Sequence, residues 1–163
     1  MAIAYLGLGS NVGDRAQFIE AALARLAQAG VRVEARSPLY ETDAVAPEPQ
    51  APYLNAAVRV AAALLPRPLL ELALDIERSL GRRRPPDRLA APREIDIDLL
   101  LYGTAIVDEP PDLLVPHPRL LARPFVRVPL SDVAVPGLVH PVTGEPLDRA
   151  APSAAVRAFV LEP

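Results

Sequence analysis

The stretch IDIDLLLY at residues 95–102 decides how this chain is read. A β-strand turns successive side chains to opposite faces. Ile95, Ile97, Leu99 and Leu101 therefore share one face, and Asp96 and Asp98 share the other. Such a strand belongs to a sheet packed on one side and open, or ligand-bearing, on the other. Gly103 closes it.

Upstream, residues 53–63 alternate in the same way. Leu54, Ala56, Val58 and Val60 point one way; Tyr53, Asn55, Ala57 and Arg59 point the other. Between the two strands, Pro66 and Pro68 open a helix, as proline does in a first turn. Leu69, Leu72, Ala73, Ile76 and Leu80 form its apolar stripe and Gly81 stops it. Residues 31–40 also alternate and predict a half-buried strand. Residues 3–9 predict a buried strand, broken by Gly9-Ser10-Asn11. A helix follows from about Asp14 as N-cap, with Phe18, Ile19, Ala22, Leu23 and Leu26 at helical spacing and Gly30 at its end. The stretches 43–52 and 82–94 read as loops. Beyond residue 103, short elements are expected, with helices near 118–123 and 151–160.

The order strand-helix-strand-strand-helix-strand predicts an α+β ferredoxin-like sandwich (βαββαβ core) with extra C-terminal elements, in one domain over 1–163. Two helices cover one face. The other must be covered by the C-terminal segment or host a ligand. With both apolar rows under the helices, Tyr53, Asn55, Asp96 and Asp98 look out from one open face.

Composition narrows the chemistry. The chain has 163 residues, a net charge of -3 and no cysteine or tryptophan, and all 17 basic residues are arginines. Without cysteine there is no disulfide, thiolate metal site or cysteine nucleophile. Without lysine there is no Walker-A loop or Schiff base. The acidic balance argues against a nucleic-acid partner. No apolar run is long enough for a membrane span, and the N-terminus does not read as a signal peptide, so the expected location is cytoplasmic.

Asp96 and Asp98 stand about 6–7 Å apart on one strand face. Two carboxylates that close suit Mg²⁺, a hard cation that keeps waters and accepts phosphate oxygens. They also fit a plain solvated face, and D-x-D alone does not decide. The preceding loop adds weight. Arg78, Arg82, Arg83, Arg84, Arg88 and Arg93 place six of the 17 arginines within 16 residues. A helix C-terminus accounts for three of them, but not for Arg88 and Arg93 leading into the acidic strand. Guanidinium groups grip phosphate in bidentate fashion, so arginines beside an acidic pair suit a polyphosphate. His117, held between two prolines, is either a loop cap or a phosphate donor. His140 reads as a loop cap. Phe125 is either a core plug or a stacking platform.

Six blocks together resemble one family, 6-hydroxymethyl-7,8-dihydropterin pyrophosphokinase: AYLGLGSNVGDR at 4–15, SPLYET at 37–42, YLNAAV at 53–58, IERSLGR at 76–82, PREIDIDLLLYG at 92–103 and VPHPRLLARPF at 115–125. The resemblance implies transfer of pyrophosphate from ATP to the hydroxymethyl group of the pterin, with release of AMP, in folate biosynthesis. It implies that Asp96 and Asp98 hold two Mg²⁺ ions and that Arg82 and Arg93 act in catalysis with them. Glu77, Arg82, Arg84, Arg88, Arg93, His117 and Arg123 would line the nucleotide. Thr42, Val45, Tyr53, Asn55 and Phe125 would form the pterin pocket, with Ser10 and Asn11 buttressing it. The loop 82–94 is expected to close as a lid. Where the family often carries Trp-Gly-Pro-Arg, this chain has Leu89-Ala90-Ala91-Pro92-Arg93, and the clamping aromatic is lost. The expected partners are the two small-molecule substrates, with no nucleic acid or membrane, acting on a monomer or weak homodimer. Two rivals remain at this point: a non-catalytic ligand-binding module, and a nucleotidyl transferase that releases pyrophosphate.

Overall fold

The computed structural model describes residues 1–82 and 92–160. Its elements run β1 (Ala2–Ser10), α1 (Arg15–Gln28), β2 (Arg32–Arg36), β3 (Tyr40–Thr42), β4 (Tyr53–Ala62), α2 (Pro66–Ser79), β5 (Asp96–Tyr102), β6 (Val107–Glu109), β7 (Leu113–Val115), α3 (Pro124–Val133) and β8 (Val156–Ala158). The fold is a mixed α/β arrangement around one antiparallel six-stranded sheet in the order β5-β1-β4-β3-β8, with β2 also paired to β4.

Local chemistry explains most of these bounds. The Asp14 side chain accepts the Gln17 N–H and caps α1, and Gly30 takes the left-handed conformation that follows it. Pro66 and Pro68 occupy the first turn of α2. Residues 31–40 form two strands rather than the one expected. Pro38 has no N–H to continue a ladder. At the break, Ser37 donates its N–H to Ala57 O and its Oγ accepts the Ala57 N–H, both at 2.9 Å. The hydroxyl thus stands in for a backbone acceptor, and β2 and β3 follow one another along the same edge of β4.

Two cores flank the sheet. On one side Leu6, Leu8, Leu54, Val58, Val60, Ile95, Ile97 and Leu99 pack with the stripes of α1 and α2. Each such burial stabilises by about 1.5–3 kcal/mol. The hairpin β6–β7 closes this layer through Leu113 and Val115. On the other side Tyr5, Ala57, Leu100 and Leu101 pack with Val126, Leu130 and Val133 of α3. Leu101 was expected under α1 and α2. A register shift sets Tyr5 opposite Leu101 but Leu6 opposite Leu99, so Leu100 is a bulged extra residue and the alternation changes phase there.

The C-terminal third departs most from expectation. Residues 118–123 are turns, and the helix starts at Pro124. The segment near 151–160 is not helical: Val156–Ala158 pairs antiparallel with β3 and extends the sheet. The second sheet face is thus partly roofed by α3, as one of the two expectations had it, and partly left as a cavity.

Candidate active site

Antiparallel pairing sets directly opposed residues on the same face. Asp96 lies opposite Gly9, Gly9 opposite Asn55, and Asn55 opposite Tyr40. One step along, Asp98 lies opposite Gly7 and Gly7 opposite Ala57. The central strand therefore puts glycines between the acids and Asn55. With no side chains there, a trough runs across the sheet, and it opens into a cavity of about 700 Å³. Thr42, Val45, Tyr53, Asn55 and Phe125 all line it, as do Arg93, Asp96, Asp98 and Arg123.

The two ends of the trough differ in chemistry. At one, Asn55 is buried and its Nδ2 donates to Thr42 Oγ1 at 2.6 Å. Tyr53 opens β4 and Phe125 lies in the first turn of α3. The Arg123 guanidinium lies over the Phe125 ring, 5.4 Å from its centre. Val45 is exposed at the rim. This end offers aromatic faces and an amide.

At the other end, each Asp96 oxygen accepts from a different arginine: Oδ1 from Arg82 Nη1 at 2.7 Å and Oδ2 from Arg93 Nη1 at 3.1 Å. Burial beside the Asp96 and Glu77 carboxylates pushes Asp98 up to about 7, against the pull of Arg123 and Arg93. The Arg123 guanidinium is itself shifted down, first by burial and then by neighbouring Arg119. Excess negative charge on the floor and crowded positive charge on the wall suit a cation held against a polyanion.

Glu77 and Arg82, expected along the nucleotide, lie beside Asp96. Neither lines the cavity. Glu77 is 2% exposed and Arg82 6%. Arg82 Nη1 donates to Glu77 Oε1 as well as to Asp96. They form a buried prop beneath Asp96. His117 is not among the lining residues either. Its Nδ1 accepts the Arg119 N–H at 3.1 Å, so a neutral ring carries its proton on Nε2. Burial and the nearby Arg123 charge lower its proton affinity. His140 is a loop cap, its Nδ1 accepting from Val142 and Thr143 N–H. Arg84, Arg88 and most of the expected lid lie outside the described residues.

Three lining or bracing residues were missed or underused. Arg119 lines the cavity two residues past His117, where the proline-rich turn gave no periodicity to place it. Gln50 also lines it, from a loop read only as a loop. Glu77 falls four residues after Ala73, on the apolar stripe of α2. That spacing was the available sign of a buried carboxylate.

The family model for 7,8-dihydro-6-hydroxymethylpterin-pyrophosphokinase (HPPK) matches residues 5–135. A 2-amino-4-hydroxy-6-hydroxymethyldihydropteridine pyrophosphokinase of Bacillus subtilis is 46% identical over 132 residues, covering 80% of this chain and 77% of its own. That of Aquifex aeolicus is 38% identical over 160 residues, covering 98% and 96%. Among solved structures, an HPPK-DHPS in complex with substrates superposes with a TM-score of 0.68 at 14% identity, over 90% of this chain and 42% of that one. The Plasmodium falciparum HPPK-DHPS gives 0.65 at 16% identity, over 91% and 42%. This chain spans less than half the length of those two proteins, and at such identities they speak for the fold alone. Sequence and site together are decisive: the chain belongs to the 7,8-dihydro-6-hydroxymethylpterin-pyrophosphokinase family and is a pyrophosphokinase.

Proposed function

We propose that the chain transfers the β,γ-pyrophosphoryl group of ATP to the hydroxymethyl oxygen of 6-hydroxymethyl-7,8-dihydropterin, releasing AMP, as a step of folate biosynthesis. The observation that carries this is the glycine trough, which joins an amide-and-aromatic end to an acid-and-arginine end in one cavity. A flat neutral heterocycle is held by aromatic faces and paired amide hydrogen bonds, and a polyphosphate by cations.

Tyr53 and Phe125 would sandwich the pterin while Asn55, steadied by Thr42, reads its edge. Arg93 and Arg123 would meet the triphosphate from the cavity wall. His117 would donate from Nε2, its neutral form favoured by burial. Arg82 would act from beneath, holding Asp96 in place. Aligning the hydroxyl with the β-phosphorus and offsetting charge are the main demands of phosphoryl chemistry.

The residues present fit Mg²⁺. Asp96 and Asp98 present hard oxygen donors on one face, and Asp98 is pushed up first by burial and then by the neighbouring Asp96 and Glu77 carboxylates, a charge that a cation would offset. Among the described residues no group of three histidine or acidic side chains forms. Two carboxylates thus leave coordination positions to phosphate and water. Two bound ions would supply charge neutralisation and lower the pKa of a coordinated hydroxyl.

The same reading makes the chain one ferredoxin-like domain over 1–163, supported by the strand order β5-β1-β4-β2, and a cytoplasmic enzyme working as a monomer or weak homodimer on small molecules. No helix among the described residues is long and apolar enough to cross a membrane. Incubation with Mg²⁺, ATP and the dihydropterin, followed by chromatography of the nucleotides, tests the function. Pterin-dependent AMP is expected; ADP, or turnover indifferent to the pterin, refutes it.

A further inference from the structure

The family match ends at residue 135, and β8 lies beyond it. Yet β8 reaches the cavity, which Ala155 and Val156 help to line. Val156 lies opposite Thr42, and Thr42 opposite Tyr53. Opposed residues share a face, so Tyr53, Thr42 and Val156 make one cross-strand row at the heterocycle end. The Val156 N–H donates to Ser153 O at 3.1 Å rather than to β3, and Phe159, three residues on, donates its N–H to Leu39 O at 3.0 Å. That phase makes Thr42 and Val156 a non-hydrogen-bonded pair, the closer kind, with Cα atoms about 4.5 Å apart. The branched Val156 side chain therefore stands against Thr42, whose Oγ1 accepts from Asn55.

β8 is tied to both ends of loop 43–52. At the start of the loop, Arg157 Nη2 donates to Asp43 Oδ1 at 3.1 Å. At its end, Arg15 Nη1 donates to Pro52 O and also to Glu41 Oε2, both at 2.9 Å. The Arg15 guanidinium lies over the Phe159 ring, 5.4 Å from its centre, and Phe159 packs on the helix-side core. One exposed ion pair contributes little. Here the pair is joined by backbone pairing and a packed ring, so β8 is a fixed wall.

Strand order gives that wall its place along the ligand. β4 is the middle strand of the order β5-β1-β4-β3-β8. A heterocycle read by Asn55 on β4, with its hydroxymethyl group offered to the acids on β5, turns its opposite edge toward β3 and β8. In 6-hydroxymethylpterin that edge carries the exocyclic 2-amino group. We propose that Val156 is a specificity-determining residue, an apolar stop that excludes alkyl substituents on this amino group. The proposal rests on the pterin reading of the cavity and adds β8 to the elements that select the substrate.

Calorimetric titration with 6-hydroxymethylpterin and with its 2-methylamino counterpart measures the discrimination as a ratio of dissociation constants. The unaltered protein is expected to bind the methylated ligand about tenfold more weakly, the low end of what one carbon decides in an apolar pocket. A stop acts by volume, so Val156→Ala should narrow the ratio to about threefold and Val156→Ile should widen it. Affinity for 6-hydroxymethylpterin itself should change little in either variant. Equal shifts for both ligands would make Val156 a support for Thr42 alone and overturn the proposal. A ratio near one in the unaltered protein, or a ratio that does not rise in the order Ala, Val, Ile, also overturns it while leaving the substrate standing. An unaltered protein that binds neither pterin overturns the substrate reading along with it.

Discussion

The Glu77 carboxylate accepts the Ile97 backbone N–H at 2.9 Å. β5 stands at the end of the strand order, with β1 on its inner side. Glu77 thus caps a donor on an edge strand while its other oxygen binds Arg82, which in turn holds Asp96. A carboxylate from α2 is in this way built into the foundation of the site. Glu77→Ala strips the buried Arg82 guanidinium of one of its two carboxylates and leaves the Ile97 N–H without its acceptor, at a cost of about 3 kcal/mol. Glu77→Gln keeps an oxygen for Ile97 and is expected to lose less. Urea denaturation of both variants checks the ranking; equal stability of Glu77→Ala and the unaltered protein would show that the prop carries no energy.

Gly9→Ala tests the trough. A methyl group there would fall 3.0 Å from Asn55 Oδ1 and 3.4 Å from Tyr53 Cδ1. The Asn55 amide must shift to relieve the contact, and it then no longer meets the heterocycle squarely. Pterin affinity is expected to drop by about tenfold, near the 1–3 kcal/mol of a poorly met buried polar group. Calorimetry of pterin and nucleotide separately should show the pterin term moving more.

Asp98→Asn separates stability from activity. The carboxyl of Asp98 is crowded by burial and by Asp96 and Glu77. An amide removes that repulsion, so the ligand-free protein at pH 8 gains about 1 kcal/mol, as often follows when a strained functional group is replaced. Pyrophosphoryl transfer should fall by about 10²–10³-fold, the scale of losing one electrostatic contact to the reacting group. Thermal melts and initial rates on one preparation measure both.

Tyr40 supplies a pH signature away from the chemistry. Its hydroxyl donates to Asp132 Oδ2 at 2.5 Å, tying β3 to α3. Burial and this carboxylate push the phenol up to about 12. The folded-state value lies above that of a free phenol, so its contribution to stability is complete below about pH 10 and is lost as pH rises from 10 to 12. Tyr40→Phe costs about 1 kcal/mol at neutral pH. The variant's stability should fall less between pH 9 and 11 than that of the unaltered protein, as denaturant melts at the two values would show.

Much of the site was legible because it depends on period-two alternation. Tyr53, Asn55, Asp96 and Asp98 share a face in the structure as the pattern required, and Asp14 caps its helix as read. What escaped depends on partners distant in sequence. Val156–Ala158 is a strand because β3 offers an unpaired edge, which local composition does not reveal. Pro124 and Pro129 masked α3, although one sits in its first turn and the other is buried against the sheet. That Arg82 is buried against the Glu77 carboxylate is set by packing, which its place in an arginine-rich run does not reveal.

The extra residue at Leu100 has a consequence for how this chain can vary. Along one side of β5 the side chains pass from acid at Asp96 and Asp98 to oil at Leu100 and Leu101, and the bulge adds Leu101 to that sequence. Deleting Leu100 would straighten the ribbon and leave Leu101 opposite Tyr5, whereas deleting a residue from the regularly alternating stretch 96–99 would swap wet for dry on one side of the cut. Length changes within β5 therefore fit only at the bulge, and the ribbon that bears the acids is also the ruler against which the rest of the chain is measured.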